Sequence, residues 1–558
     1  MPNGIKYITG TLPSGFLRRG NMAIANGTAD YGSTVYTAIS PSTGGYTIYQ
    51  NKATGGPSIY TPANDADLVK ITNYQVAGSM ASPAGYTGAT ACLVYYASQI
   101  DKICFNMDYP PVVANGLVLN IDSEFTPSYP RGGTGWFDLS ENEYTSTLIN
   151  GPTYLDNGYF NFDNTNDYAQ ISSILNLDTL AATRNITFCF TVKKVYYSTG
   201  GNSTGDSMIL IGVTNGYNSG FRLTNNNTGT PGTLFSGTPT FTFGAPAINN
   251  QAGVTSPRAG QNTFCHVCFT QSGSSVTGFI NGAFNSATFT NPYVSGSNSG
   301  SIGRDQGFGV GWFGGYLSDF KIYNRALTQA EILQNYHRGP IVTDSLVYSI
   351  DAGNLPSYEP GTTGAYSLVG NIPGTLLNGV AYSQGSGGTW DFDGSDDTIS
   401  FPTNAALELS NDLTISLWMS TDSPRSGIGV VCKGPASGDY DYMAYLTTSS
   451  TFVSFYKKNS AGTAEQAGGF TSSLLNNWVN VCFTKSGVNV RGYENGVLKG
   501  NSNFTDATIR TSSNPLYVGS GWAGNFDGRI PLVQIYNRAL TASEVLQNYN
   551  AQKYRFGL

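Results

Sequence analysis

The chain has 558 residues, too many for one ordinary domain, with 40% hydrophobic residues but only 11% charged and a net charge of -7. With no Lys/Arg run, that balance excludes a nucleic-acid partner and an anionic membrane surface. No stretch of about 18 apolar residues is present to span a bilayer, and the opening MPNGIKYITGTLPSGF lacks the charged end and apolar run of a secretory signal. The surface must be polar without being charged. With 69 Gly and 36 Tyr, the composition suits turn-rich β structure better than helices.

Residues 1–115 form a leader of loops and short strands, in which ATACLVYYASQIDKI (Ala89–Ile103) is expected to be one helix. From Leu117 onward the chain repeats itself. LVLNIDSEFTPSY pairs with LVYSIDAGNLPSY from Leu346 at an offset of 229 residues, and FDNTNDY (Phe162) with FDGSDDT (Phe392) at 230. Further on, HVCFTQSG (His266) pairs with NVCFTKSG (Asn480) at 214, and YNRALTQAEILQNY (Tyr323) with YNRALTASEVLQNY (Tyr536) at 213. The offset drops because the first copy carries about sixteen extra residues, placed in the Gly/Asn/Thr-rich stretch between Gly200 and Gly260. The expected division is a leader over 1–115, one domain over 116–342 and a second over 343–558.

Within each copy the strand pattern is local. NITFCFTVKKV (Asn185–Val195) puts Ile186, Phe188, Phe190 and Val192 on one face, and WVNVCFTKSG alternates through Val479, Val481 and Phe483. Asn281-Gly282 and Asn495-Gly496 are hairpin turns, because this dipeptide tolerates the positive φ they need. Thr328 with Glu331 and Thr541 with Glu544 form capping boxes. Leu327 with Ile332 and Leu540 with Val545 form hydrophobic staples, so a short helix closes each copy.

Seven cysteines, an odd number without an even framework, argue against a disulfide scaffold; Cys189 and Cys482 read as small packing residues in strands. Cys265 and Cys268 have CxxC spacing, but they sit on one strand with no second pair to complete a zinc site. Trp136, Trp390, Trp418 and Trp478 lie in or beside strand patterns and read as core.

The segments LVLNID…PSYP…GWFDLS, FNFDNTNDY, CFTQSG…ING and GGYLSDFKIYNRALTQAEI resemble the LamG-like jelly roll of the concanavalin A-like lectin/glucanase superfamily. IDAGNLPSY, WDFDGSDD and GRIPLVQIYNRALTASEV repeat the likeness in the second copy. The resemblance implies an all-β fold of two tandem jelly-roll β-sandwiches, each closed by a short C-terminal helix, after a small mixed N-terminal domain. Such domains joined to a Gly/Pro/Tyr-rich leader are similar to structural proteins of tailed phages, marine ones among them. This implies a virion-surface fibre, spike or capsid decoration. Its expected partners are other virion proteins, met through the N-terminal segment, further copies of itself, and cell-surface glycans. A bacterial cell surface is the alternative location.

Three chemistries compete for the site. Glucanases of this superfamily carry paired carboxylates on one strand, and none of the nine Glu has that spacing; Glu141 and Glu143 come nearest but have no counterpart pair in the second copy. The expectation is therefore no catalytic residue and no enzyme, with a glycan-cleaving enzyme built from distant carboxylates as one alternative and a decoration protein without sugar binding as another. His266 and His337, the two histidines, read as structural. Asp163, Asn166 and Asp167 in the first copy, and Asp393, Asp396 and Asp397 in the second, gather oxygens at a turn. Ca²⁺ is the one candidate cofactor there, against the simpler reading that these side chains cap their own turn. Trp312 and Trp522, in Gly-flanked loops before the last strand of each copy, are the candidate glycan-stacking residues.

Overall fold

The computed structural model describes strand backbones alone between residues 16 and 105. From residue 112 on it describes the chain except 126–127, 130, 141, 143, 156, 172–174, 176, 196–205, 212–220, 226–239, 245–251, 256–262, 285–288, 291–299, 305–311, 424–426, 436–437, 448–451, 522–523 and 557. In the leader, Phe16–Arg19, Met22–Ala25, Lys102–Phe105, Thr90–Val94 and Tyr74–Gln75 pair into one antiparallel sheet. The helix expected over Ala89–Ile103 is thus replaced by two paired strands, with Ala91 opposite Phe105 and Leu93 opposite Ile103. An apolar run as short as TACLV does not distinguish helix from strand by periodicity, and pairing with a neighbour decided it.

The rest of the chain is two tandem β-sandwiches, as the resemblance implied. In the first, β1 (Leu117–Asp122), β2 (Tyr159–Asp163), β3 (Asn185–Lys194), β4 (Cys265–Ser272) and β5 (Gly314–Tyr323) belong to one sheet, followed by α1 (Gln329–Tyr336). In the second, β6 (Leu346–Asp351), β7 (Thr389–Asp393), β8 (Leu413–Thr421), β9 (Val479–Ser486) and β10 (Asp527–Tyr536) do the same, followed by α2 (Ala542–Gln552). In both, the last strand lies between the second and third and also pairs with the first. The opposing sheets repeat one another's strand order too. Their largest difference in length falls in the connection from Asn225 to Thr240, against Thr447 to Phe452 in the second copy.

Period-2 alternation in β3 and β8 serves two covered faces. Ile186, Phe188, Phe190 and Val192 face the opposing sheet in a core with Trp136, Phe160 and Phe162; Ile415, Leu417 and Met419 do so with Trp390 and Phe392. The other face of β3 carries Cys189 against Leu327 and Ile332 of the closing segment. On β8 it carries Trp418, stacked on Phe556 at 4.1 Å between ring centroids. Trp136, Trp390 and Trp418 are fully buried, and Trp478 is half-buried against Phe556.

The repeated helical motif is a clasp in which nearly every residue has a partner. Thr187 on β3 donates to the Arg325 carbonyl at 2.8 Å and accepts from the Leu327 N–H at 2.9 Å; Thr414 does the same with Arg538 and Leu540. Arg325 grips Glu331 with two nitrogens at 2.9 and 2.5 Å, and Arg538 grips Glu544 at 2.9 and 2.7 Å. Both expected capping boxes are present, and the staple residues are buried together. Asn335 donates to the Tyr323 hydroxyl and accepts the Val113 N–H, each at 3.0 Å. Asn548 repeats this with Tyr536 and Val342, each at 2.8 Å. The helix therefore ties the entrance of each sandwich to its exit.

The sandwiches also pack on each other. Lys193 reaches Glu359 at 2.7 Å, Arg338 reaches Glu124 at 2.8 Å, and Leu355 is buried with Tyr159 and Phe264.

Candidate functional site

The turn following β2 is built by its own side chains. Asp163 Oδ1 accepts N–H bonds from Thr165 at 2.8 Å and Asn166 at 3.1 Å, while Asp167 Oδ2 accepts from the Asp163 N–H at 3.1 Å. After β7, Asp393 Oδ1 accepts from Ser395 at 2.7 Å and Asp397 Oδ2 from the Asp393 N–H at 3.0 Å. Asn164 takes φ of 64° and Gly394 φ of 74°, the left-handed step this tight turn requires. Asp167 and Asp397 are buried, and burial pushes Asp167 up to about 6 and Asp397 in the same direction.

The two turns differ in metal-holding capacity. Asp393, Asp396 and Asp397 bring carboxylate oxygens within 4.8 Å of one another, and Asp397 Oδ1 has no hydrogen-bond partner among the described residues. Asn166 in the first turn provides a neutral amide where Asp396 provides a charge. The second turn is the better match for a hard cation, but three carboxylates alone are short of the six to eight oxygens Ca²⁺ takes.

Trp312 is brought beside the first turn by backbone pairing. Its neighbour Phe313 accepts the Asn164 N–H at 3.2 Å and donates to the Gly303 carbonyl at 2.8 Å. Trp312 is half-buried, 6.2 Å from the Tyr168 ring, and the Arg304 guanidinium lies 4.0 Å over that same ring. Arg304 Nε has no hydrogen-bond partner among the described residues. A cation–π contact and two aromatic faces thus adjoin the Asp163–Asp167 turn. Tyr168 and Arg304 were missed in the sequence. Tyr168 directly follows Asp167 and could have been found; Arg304 is more than 130 positions from it and could not.

The second copy does not repeat this platform. Phe526, and not the residue directly after Trp522, takes the place of Phe313: it donates to the Gly519 carbonyl at 2.8 Å and packs edge-on to Phe392 as Phe313 packs on Phe162. The counterpart of Trp312 is therefore Asn525, whose side chain donates to the Ser395 carbonyl. Matching the two tryptophans by their Gly-flanked loops misaligned them by three residues, because loop composition carries no register whereas the buried Phe does. Trp522 itself lies outside the described residues, as do Glu141 and Glu143.

The carboxylates that do assemble are at the junction of the sandwiches. Asp122, Glu124 and Asp319 line a cavity of about 30 Å³ with Lys321, Arg338 and His266. Burial, then neighbouring Glu124, pushes Asp122 up to about 8; burial pushes Asp319 upward too, but Lys321 at 2.5 Å overcomes this and holds it below its ordinary value. Both histidines are buried, and burial lowers each to about 4.

One cysteine expectation needs correcting. Cys189 and Cys268, opposite one another on β3 and β4, are joined as a disulfide, while Cys265, Cys432 and Cys482 are free and buried. Residue spacing could not show this, since the partners are 79 positions apart.

No curated protein matches the chain. Among solved structures, domain 4 of AbnA, a GH43 extracellular arabinanase from Geobacillus stearothermophilus in complex with arabinotriose, is 20% identical; the match covers 37% of this chain and 98% of that one, with a TM-score of 0.30. Mouse laminin alpha1 domains LG4-5 are 13% identical over 70% of this chain and 93% of that one, at a TM-score of 0.24. The botulinum neurotoxin serotype D binding domain is 13% identical over 73% and 93%, at 0.32. The family description Laminin_G_3, concanavalin A-like lectin/glucanases superfamily, matches residues 163–333 and 393–546, more than half of the chain. With that match on both copies of the sandwich, the chain belongs to the concanavalin A-like lectin/glucanases superfamily.

Proposed function

We propose that this chain is a non-enzymatic surface adhesin that binds glycans through its first sandwich, with the second sandwich and the leader serving as its structural mount on a virion. The observation that carries the glycan reading is the Trp312–Tyr168–Arg304 platform beside the Asp163–Asp167 turn. Aromatic faces stack on sugar rings, Asp and Asn orient hydroxyls, and a guanidinium adds a two-pronged donor for a carboxylate-bearing sugar. The arabinotriose in the arabinanase domain's complex is that protein's ligand.

The non-enzymatic part is supported by the junction carboxylates. Asp122, Glu124 and Asp319 line one cavity at the junction. They sit in a space of about 30 Å³, on the scale of a water molecule. The virion mount rests on the likeness of leader and tandem domains to tailed-phage structural proteins. It is tested by mass spectrometry of purified particles from the source culture.

The glycan reading is tested with the full chain on a panel of neutral and acidic polysaccharides, with and without a chelator. Trp312→Ala is expected to weaken binding by about tenfold or more, from ~1–3 kcal/mol of lost stacking in the ring-stacking range. Arg304→Ala is expected to weaken acidic glycans selectively. Unchanged affinity in Trp312→Ala would sink the platform. Chelator sensitivity abolished by Asp396→Asn would assign Ca²⁺ to the second turn. Binding to no glycan by folded protein would leave the decoration role.

A further inference from the structure

Beneath α1 three metal-competent side chains share one small buried space. Cys189 lies opposite Cys268 in the β3–β4 pair, and His266, two residues before Cys268, points to the same face. Their donor atoms all lie within 4.8 Å of one another, with the His266 ring nitrogens 3.7 and 3.9 Å from Cys268 Sγ. The two sulfurs are bonded to each other in this structure.

The second sandwich isolates what this trio adds. Strand pairing places Ser416 opposite Cys482, with Asn480 in the place of His266. Two of the three donors are gone, and Asn480 instead donates to the Ser416 hydroxyl at 3.4 Å and the Leu417 carbonyl at 3.2 Å. The clasp above is nonetheless retained in full, through Thr414, Asn548, Tyr536 and the Arg538–Glu544 pair. The closing helix therefore docks in the second sandwich without a Cys-His-Cys trio, so the clasp does not require one, although Cys189 also packs on Leu327 and Ile332 and His266 stacks on Tyr336 in the first.

We propose that Cys189, His266 and Cys268 form a Zn²⁺ site when the Cys189–Cys268 disulfide is reduced. A dithiol reductant supplies two electrons: the S–S bond breaks, two thiols form, and the dithiol becomes a disulfide. Zn²⁺ then displaces both thiol protons to solvent, and the two thiolates cancel its charge in a site that could not bear an uncompensated one. Zn–S and Zn–N bonds of about 2.3 and 2.0 Å in a tetrahedron set a sulfur-to-nitrogen edge of roughly 3.5 Å, close to the separation already present. Two unbonded sulfurs must in any case move apart, toward the roughly 3.8 Å edge the same geometry requires. A solvent molecule completes the tetrahedron as fourth ligand.

The test uses the full chain, reduced with a dithiol and freed of it under inert gas, titrated with Zn²⁺ and with Co²⁺, whose thiolate charge-transfer absorption reports sulfur ligation. One equivalent bound by reduced protein, at least about 100-fold more tightly than by oxidised protein, is expected. Cys189→Ser and His266→Asn install the residues the second sandwich already uses, so each is expected to fold, as checked by circular dichroism, and to lose the cobalt band or weaken binding by tenfold or more. Cys482→Ser is expected to change nothing. No binding by reduced protein, or binding that persists in a Cys189→Ser/His266→Asn double variant, overturns the proposal.

Discussion

Asn335 and Asn548 show how one side chain can govern a domain. Each is buried and binds two groups, a tyrosine hydroxyl and the backbone N–H of a residue where the chain enters the sandwich, and in the second copy Tyr536 also donates to the Val342 carbonyl at 2.9 Å. Truncation leaves the buried backbone N–H without this acceptor, so the loss is more than one ordinary hydrogen bond. Asn335→Ala is expected to destabilise the first sandwich by about 2–3 kcal/mol, read as a shift in its denaturant midpoint, and Asn548→Ala to do the same to the second. A shift below about 0.5 kcal/mol in either would mean that the helix docks by its apolar face alone.

The two closing helices depend on ion pairs that titrate. Glu331 and Glu544 are each held down to about 2, first by the hydrogen-bonded guanidinium of Arg325 or Arg538 and then by the cap threonine, against a partial burial that opposes it. A carboxylate whose folded value lies below its unfolded one adds stability above the unfolded value, about 4.3, and loses it as pH falls toward 2. Glu331→Gln with Glu544→Gln is therefore expected to lower stability at pH 7 and to flatten its decline between about pH 4.5 and 2. Denaturant midpoints measured across that window check it, and parallel curves for variant and parent would refute it. Both pairs are partly exposed, so the effect is modest.

The two sandwiches are held in one arrangement by charge and by a small apolar patch. Glu359 accepts Lys193 at 2.7 and 2.8 Å and the Tyr159 hydroxyl at 3.3 Å, all from the first sandwich. Glu359→Lys removes these bonds and opposes two ammonium groups, a loss of ~2–3 kcal/mol for charged hydrogen bonds. Faster protease cleavage within 338–345, by about tenfold or more, and a larger radius of gyration in solution scattering are expected, with each sandwich's own unfolding unchanged. An unaltered scattering profile would assign the arrangement to the Arg338–Glu124 pair and the Leu355 patch instead.

The duplication, the strands with their hairpin turns, the capping boxes and the staples were legible in the amino-acid order, because each rests on residues a few positions apart. Period-2 alternation fixes a strand's faces, and a T-x-x-E spacing fixes a helix start, wherever they occur. The Asp163 and Asp393 turns were legible for the same reason. What required the folded chain was everything assembled across strands. Cys189 meets Cys268, Arg304 meets Tyr168, and Trp312 finds its counterpart in Asn525 and not in Trp522. Strand order and register set those meetings, and they depend on which edges pair and which buried side chains fill the core, energies no local window contains. The leader shows the same limit from the other side: the stretch read as a helix in isolation became strands when it found neighbours to pair with.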